Sequence, residues 1–192
     1  MDSIVDTLMN QLGSGDNLST ISKSVGGDPN AVKSALGLGL PMLVGSMADT
    51  ASKPGGADML TKMMSQMGGS NPMDNVSGYL GNPEAAGGSG IVSSLLGSQM
   101  GTIQNTISQK TGLPPAMVGK VLAIAAPLVM GYASKMFTQQ KMDTKVLTNL
   151  LGEQSKMAMQ SSPEAANMAK QVVTTKVESG GVMSKLKKLF GS

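Results

Sequence analysis

Met59, Met63 and Met67 stand at i, i+4 and i+8, with Met64 beside them, so a helix there carries three thioethers on one face. Thioethers at that spacing can hold a soft ion such as Cu(I). The matching residues later in the chain, Val146, Leu150 and Leu151, bind no metal. A methionine stripe at helical spacing ordinarily fills a core or covers a partner. The stripe is therefore read as core or candidate interface, and no metal or cofactor is expected. The remaining chemistry is thin. With no Cys and no His, the chain lacks thiol nucleophiles, thiolate metal sites and imidazole acid–base groups. The acids are isolated, with Asp28, Asp58 and Glu164 at predicted helix starts, where they stabilise the dipole. No Gly-x-Ser-x-Gly elbow occurs, and no His exists to act as its base; a Ser–Lys pair is left open by the sequence. No catalytic residue is assigned, and no enzyme is expected. All fifteen basic residues are Lys, so planar bidentate recognition of phosphate or guanine is absent. A net charge of +3 and only four aromatic residues give neither a dense basic face nor a stacking platform, and nucleic-acid binding is not expected.

Two prolines carry more information. Pro41 and Pro127 each lie within an apolar run of helical character. An interior proline removes one hydrogen bond and bends the axis, at about 3 kcal/mol or more unless packing compensates. The blocks around them correspond. Asp28-Pro29-Asn30-Ala31-Val32, Leu36, Leu38 and Pro41-Met42-Leu43-Val44-Gly45 recur 86 residues later as Pro114-Pro115-Ala116-Met117-Val118, Leu122, Ile124 and Pro127-Leu128-Val129-Met130-Gly131. A bend placed twice is read as a requirement of the fold. The functional alternative is a cavity wall, with the freed carbonyls near Gly37 and Ala123 turned towards a ligand. The last chemical feature is the tail. Val182, Met183, Leu186, Leu189 and Phe190 fall largely on one helical face, and Lys185, Lys187 and Lys188 largely on the other. That is the pattern of an interfacial helix, too short to be stable alone. It suits the protein's own core, another subunit, or weak contact with an anionic membrane surface.

The elements that position these residues follow from periodicity and punctuation. Helices are predicted over 3–12, from Asp16 or Asn17 to about Val25, from Asp28-Pro29 to about Thr50, and from Asp58 to Met67. In the second half, Ile91-Val92 and Leu95-Leu96 match Ile4-Val5 and Leu8-Met9, and a long helix runs from about Pro115 to Gln139. Residues 1–67 thus form a first helical repeat, 91–151 a second, and 68–90 a Gly/Pro-rich linker read as mobile. An extra helix over 152–178, with a start at Ser162-Pro163-Glu164, precedes the basic amphipathic tail 179–192. No alternating run bounded by hairpin turns suggests a strand. The expectation is an all-α, internally duplicated, pseudo-two-fold bundle with two long proline-kinked central helices. With four aromatic residues and eighteen Met, its core must be filled by Leu, Ile, Val, Ala and Met. The acidic N-terminus lacks signal-peptide character, and the 14 apolar residues between Lys120 and Lys135 fall short of the roughly 20 that span a bilayer. A soluble, cytoplasmic protein is expected.

At the paired (D/P)P-x-x-V starts and their proline-containing apolar helices, residues 4–67 and 91–151, the chain resembles the bacterial DUF937 (YidB-like) family. The resemblance implies a mainly helical bacterial protein and no activity, and it transfers no site residue. Two functions are then in view. One is a non-enzymatic structural or self-assembling protein forming homo-oligomers or filaments. The other is a binding module for an apolar small molecule or lipid between the bent helices.

Overall fold

The computed structural model describes residues 3–66, 71–83, 87–139 and 143–170. Among them the chain is all-α, with no strand. Met67 and the tail residues Val182, Met183, Leu186, Leu189 and Phe190 lie outside the described residues.

Local caps set most helix starts. Ser3 caps α1 (Ile4–Leu12) by accepting from the Asp6 N–H at 3.0 Å. Helix α2 (Gly15–Val25) ends at Gly26, whose left-handed φ of 81° lets its N–H return to the Ser22 carbonyl. Asp28 caps α3 (Pro29–Ser52) by accepting from Asn30 and Ala31 at 2.9 and 3.2 Å, with Pro29 in the first turn, where its missing donor does no harm. Helix α4 (Gly56–Gln66) follows, and Asn75 caps the short α5 (Val76–Gly81). Helix α6 (Gly88–Leu96) runs through a 3₁₀ turn, Gly97–Gln99, into α7 (Met100–Thr111). Gly112, at φ 75°, closes α7 on the Ser108 carbonyl as Gly26 closes α2 on Ser22. Helix α8 (Pro115–Gln139) and α9 (Thr144–Ser161) come next; Asp143 caps α9. Residues 163–170 form a further helical segment, α10.

Helices α3 and α8 pack on each other and hold the remaining helices around them. Leu36, Leu40, Leu43, Val44 and Met47 of α3 and Leu122, Ala126, Leu128, Val129 and Met130 of α8 are fully buried. Pro41 and Pro127 are buried too. Helices α1, α2, α6 and α7 each touch both central helices, as does α4; α9 packs on α3. Leu and Met supply the bulk that aromatic rings supply elsewhere.

Helix α8 has the bounds expected from the sequence, and the 14-residue apolar stretch lies inside it, with Lys120 and Lys135 carried within the helix. Both α3 and α8, at 24 and 25 residues, are long and apolar enough to cross a membrane by length and composition. In this fold 61% and 67% of their apolar windows are buried inside the protein.

Candidate functional site

The two interior prolines differ in what covers the backbone beside them. Pro127 has no N–H to give to the Ala123 carbonyl four residues back. Gly88, the first residue of α6, lies against that oxygen so closely that a Cβ at Gly88 would land on it. A glycine Cα–H facing a carbonyl in this way is a weak hydrogen bond. One residue on, the Ile124 carbonyl accepts from the Tyr79 hydroxyl at 2.8 Å. The next turn is tied as well. Asn71 donates to the Gly131 carbonyl at 3.0 Å and accepts from the Met73 N–H at 2.9 Å. A Cβ at Gly131 would strike the Asn71 side chain. Lys135 completes the strap, donating to the Met73 carbonyl at 3.3 Å and pairing with Asp74 at 2.7 Å. At the first proline, the Gly37 surface lies beneath the Met9 methyl group.

These contacts change the meaning of the Gly/Pro-rich segment. Residues 71–83, expected to be a mobile linker, dock along α8 because that helix offers them backbone carbonyls. The freed carbonyls near Ala123, considered above as a cavity wall, are met by the protein's own Gly88 and Tyr79. Burial drives the Tyr79 phenol pKa upward, well beyond its ordinary value near 10, because the phenolate would lose its hydration. The neutral phenol is thus favoured more in the folded than in the unfolded chain. That stabilisation is complete below about pH 10 and is lost progressively as pH rises above it. Tyr79→Phe is expected to lower unfolding free energy by about 1 kcal/mol at neutral pH, through loss of the hydrogen bond to the Ile124 carbonyl. It should also flatten the alkaline limb of stability. Urea titrations of both proteins at neutral pH and above pH 10 check both effects.

Two clefts flank the central pair. The first, about 740 Å³, lies between the end of α2, the approach to α6, α7 and α8, with Met100, Gln104, Lys120, Ala123 and Ile124 in its wall. Gly119 leaves room there for the Gln104 amide, which a Cβ would meet at 2.6 Å. The second, about 680 Å³, lies between α3, the end of α6 and α9; Met42, Leu95 and Met159 line it, and the Asp49–Lys53 ion pair at 2.6 Å stands at its side. Gly45 lets α9 close in, its Cβ position 3.1 Å from the Met159 methyl.

The methionine stripe is divided by the fold. Leu60 and Met64 are the residues of α4 that enter the core; Met63 is partly buried beside them, and Met59 is 43% exposed. Among the described residues Met59 and Val146, at 46%, are the exposed large apolar side chains. They sit on α4 and α9, two helices in contact. No group of three or more acidic side chains able to hold a metal occurs among the described residues. Sequence reasoning did not find Tyr79, Asn71 or Gly88. One signal was available, since Tyr79 is a rare aromatic residue set in a glycine-rich stretch.

Neither curated proteins nor solved structures provide a match to this chain. The family model of DUF937, described as a bacterial protein of unknown function, matches residues 6–136. That span runs from α1 through both proline-containing helices and stops short of α9. The chain with these two buried proline helices and their shared sheath belongs to the DUF937 family of bacterial proteins.

Proposed function

We propose that this protein is a non-enzymatic, self-associating structural protein, and that copies meet through the face formed by α4 and α9. One observation carries the reading. Among the described residues, the exposed large apolar side chains, Met59 and Val146, stand 87 residues apart, at matching positions of the two sequence blocks. Each is followed one turn later by a further half-buried apolar residue, Met63 and Leu150. A single exposed apolar side chain is ordinary. Matched exposed positions on two touching helices are what we read as the interaction surface. The proposal includes the internal duplication, with α1–α4 corresponding to α6–α9. It is supported by the offset of 86 to 87 residues between matching positions and by Val32 and Val118, Leu36 and Leu122, all fully buried. The glycine closures at Gly26 and Gly112 also correspond. A ridge presented by both halves gives a second copy two similar seats: a closed arrangement yields a dimer or ring, an open one a filament. The burial of both long apolar helices supports a soluble protein, and we place it in the cytoplasm.

Light scattering at two protein concentrations tests this. The wild type should grow in mass with concentration, while Met59→Lys combined with Val146→Lys should weaken association by about two orders of magnitude or more through desolvation of two charges. The helical content of the double variant should stay unchanged. A wild type that remains monomeric at high concentration overturns the reading. A second reading, an apolar small molecule or lipid held beside the central helices, is favoured by the cleft volumes of about 740 and 680 Å³, which lie in the range of ligand sites. Native mass spectrometry of freshly purified protein separates the two: mass multiples of the chain favour association, and an added small mass favours the ligand.

A further inference from the structure

The thioethers of this chain meet unlike surroundings. Met42, Met47 and Met64 are buried in the core, and Met63 and Met159 are packed against it. Met59 belongs to neither group. At 43% exposure it is the most open methionine among the described residues. It also stands on α4, a helix in contact with α9. The matched position on α9 is Val146, which has no sulfur. Of the two exposed apolar side chains on this face, one can therefore be oxidised and the other is inert.

We propose that Met59 is an oxidation site, with a hydroperoxide as the oxidant, and that its sulfoxide blocks the α4–α9 face against a second copy. In the step, the Met59 sulfur attacks one peroxide oxygen. An S–O bond forms and the O–O bond breaks. With hydrogen peroxide, the proton of the transferred oxygen passes to the departing one, which leaves as water. The sulfur loses two electrons and the peroxide gains them. Oxidation turns a flexible apolar side chain into a polar one, which disrupts methionine-rich contacts. On the separate molecule the new oxygen is hydrated, because Met59 is already open to water, so the fold is undisturbed. Covering it with a second copy strips that water away without a prepared donor. The converse holds as well: a seated copy shields the sulfur from peroxide, so association slows the reaction. The block on association rests on the self-association reading; the preferential oxidation of Met59 does not.

The test treats the full-length protein with limiting hydrogen peroxide. Peptide mass spectrometry follows the sulfoxide at each methionine, and light scattering follows mass. Met59 should be oxidised several-fold faster than Met42, Met47 and Met64. Its rate should fall several-fold as protein concentration enters the associating range. Once Met59 is oxidised, association should weaken about tenfold or more, with helical content unchanged. Met59→Leu keeps the apolar bulk without a reactive sulfur, so its association should be the same before and after peroxide. Met59→Gln places a polar group there permanently and should associate as weakly as the oxidised wild type. Oxidation of Met59 no faster than that of the buried methionines overturns the proposal. A peroxide response that survives in Met59→Leu overturns it too, as does association that persists in the Met59 sulfoxide. Selective oxidation of Met59 in a wild type that is monomeric at every concentration would uphold the oxidation site and overturn the proposed function.

Discussion

Gly88→Ala lowers unfolding free energy by about 3 kcal/mol or more, while Gly90→Ala, two residues on in the same short helix, leaves the protein as stable as before or slightly more so. Both substitutions add one methyl group to α6 and both replace a helical glycine. Helix propensity alone predicts a gain of about 0.5–1 kcal/mol at each site. Packing separates them. The new Cβ at Gly90 meets nothing within 4 Å, whereas at Gly88 it falls on the Ala123 carbonyl oxygen. That oxygen belongs to the backbone of a fully packed central helix, beside Pro127, so no side-chain rotation relieves the clash. Either α6 moves off α8, exposing Val92 and Leu96 from the core, or α8 itself distorts. Overpacking of a rigid site costs at the upper end of the usual range of about 1–3 kcal/mol or beyond it. For a chain of this size that corresponds to a fall in Tm of about 6–12 °C or more. Thermal unfolding followed by circular dichroism reads both variants. Equal and small effects at the two glycines would show that α6 does not rest on the Ala123 carbonyl.

Glycine also shows where the sequence was legible and where it was not. Starts fixed by neighbours in the chain could be read directly: Asp28-Pro29 opens α3 as expected, and Ser162-Pro163 precedes α10. These signals act over two or three residues, so sequence contains them entirely. Gly56 and Gly88 look like helix breakers by composition, yet each begins a helix, at two and three residues before the expected starts at Asp58 and Ile91. The reason is tertiary. A Cβ at Gly56 would collide with the Thr50 carbonyl, and one at Gly88 with that of Ala123. Glycine is there for close backbone approach, and nothing local announces the partner. The docking of residues 71–83 escaped for the same reason: Tyr79 and Asn71 bond to backbone carbonyls 45 and 60 residues away, which have no side-chain signature. The interface candidates were half legible. Period alone placed Met59, Met63 and Met67 on one face, but which side of α4 enters the core depends on what α4 packs against, and the fold chose Leu60 and Met64.

The contact between the two central helices is open to a stricter test than any single truncation. Leu122 of α8 is fully buried, and Leu122→Ala is expected to cost about 2–5 kcal/mol through lost transfer energy and the cavity left behind. Across from it, a Cβ at Gly39 of α3 would stand 2.7 Å from the Leu122 Cδ2 atom, so Gly39→Ala forces a buried leucine to move, at about 1–3 kcal/mol. The two substitutions share one space: the methyl added at Gly39 enters the volume that Leu122→Ala empties. The double variant should therefore be more stable than the sum of the two losses predicts, by about 1–2 kcal/mol, the signature of residues in contact. Denaturant unfolding of the four proteins of the cycle measures that coupling. Strict additivity would mean that α3 and α8 do not meet at this point. The proposed duplication extends the experiment to the mirror position, because Gly39 and Leu122 correspond to Ala125 and Leu36 at the same offset of 86. Both of those are buried, with 1% and 0% exposure. Leu36→Ala and Ala125→Gly should then couple as well. Coupling at the first pair without any at the second would leave two long helices that cross, but not two copies of one unit.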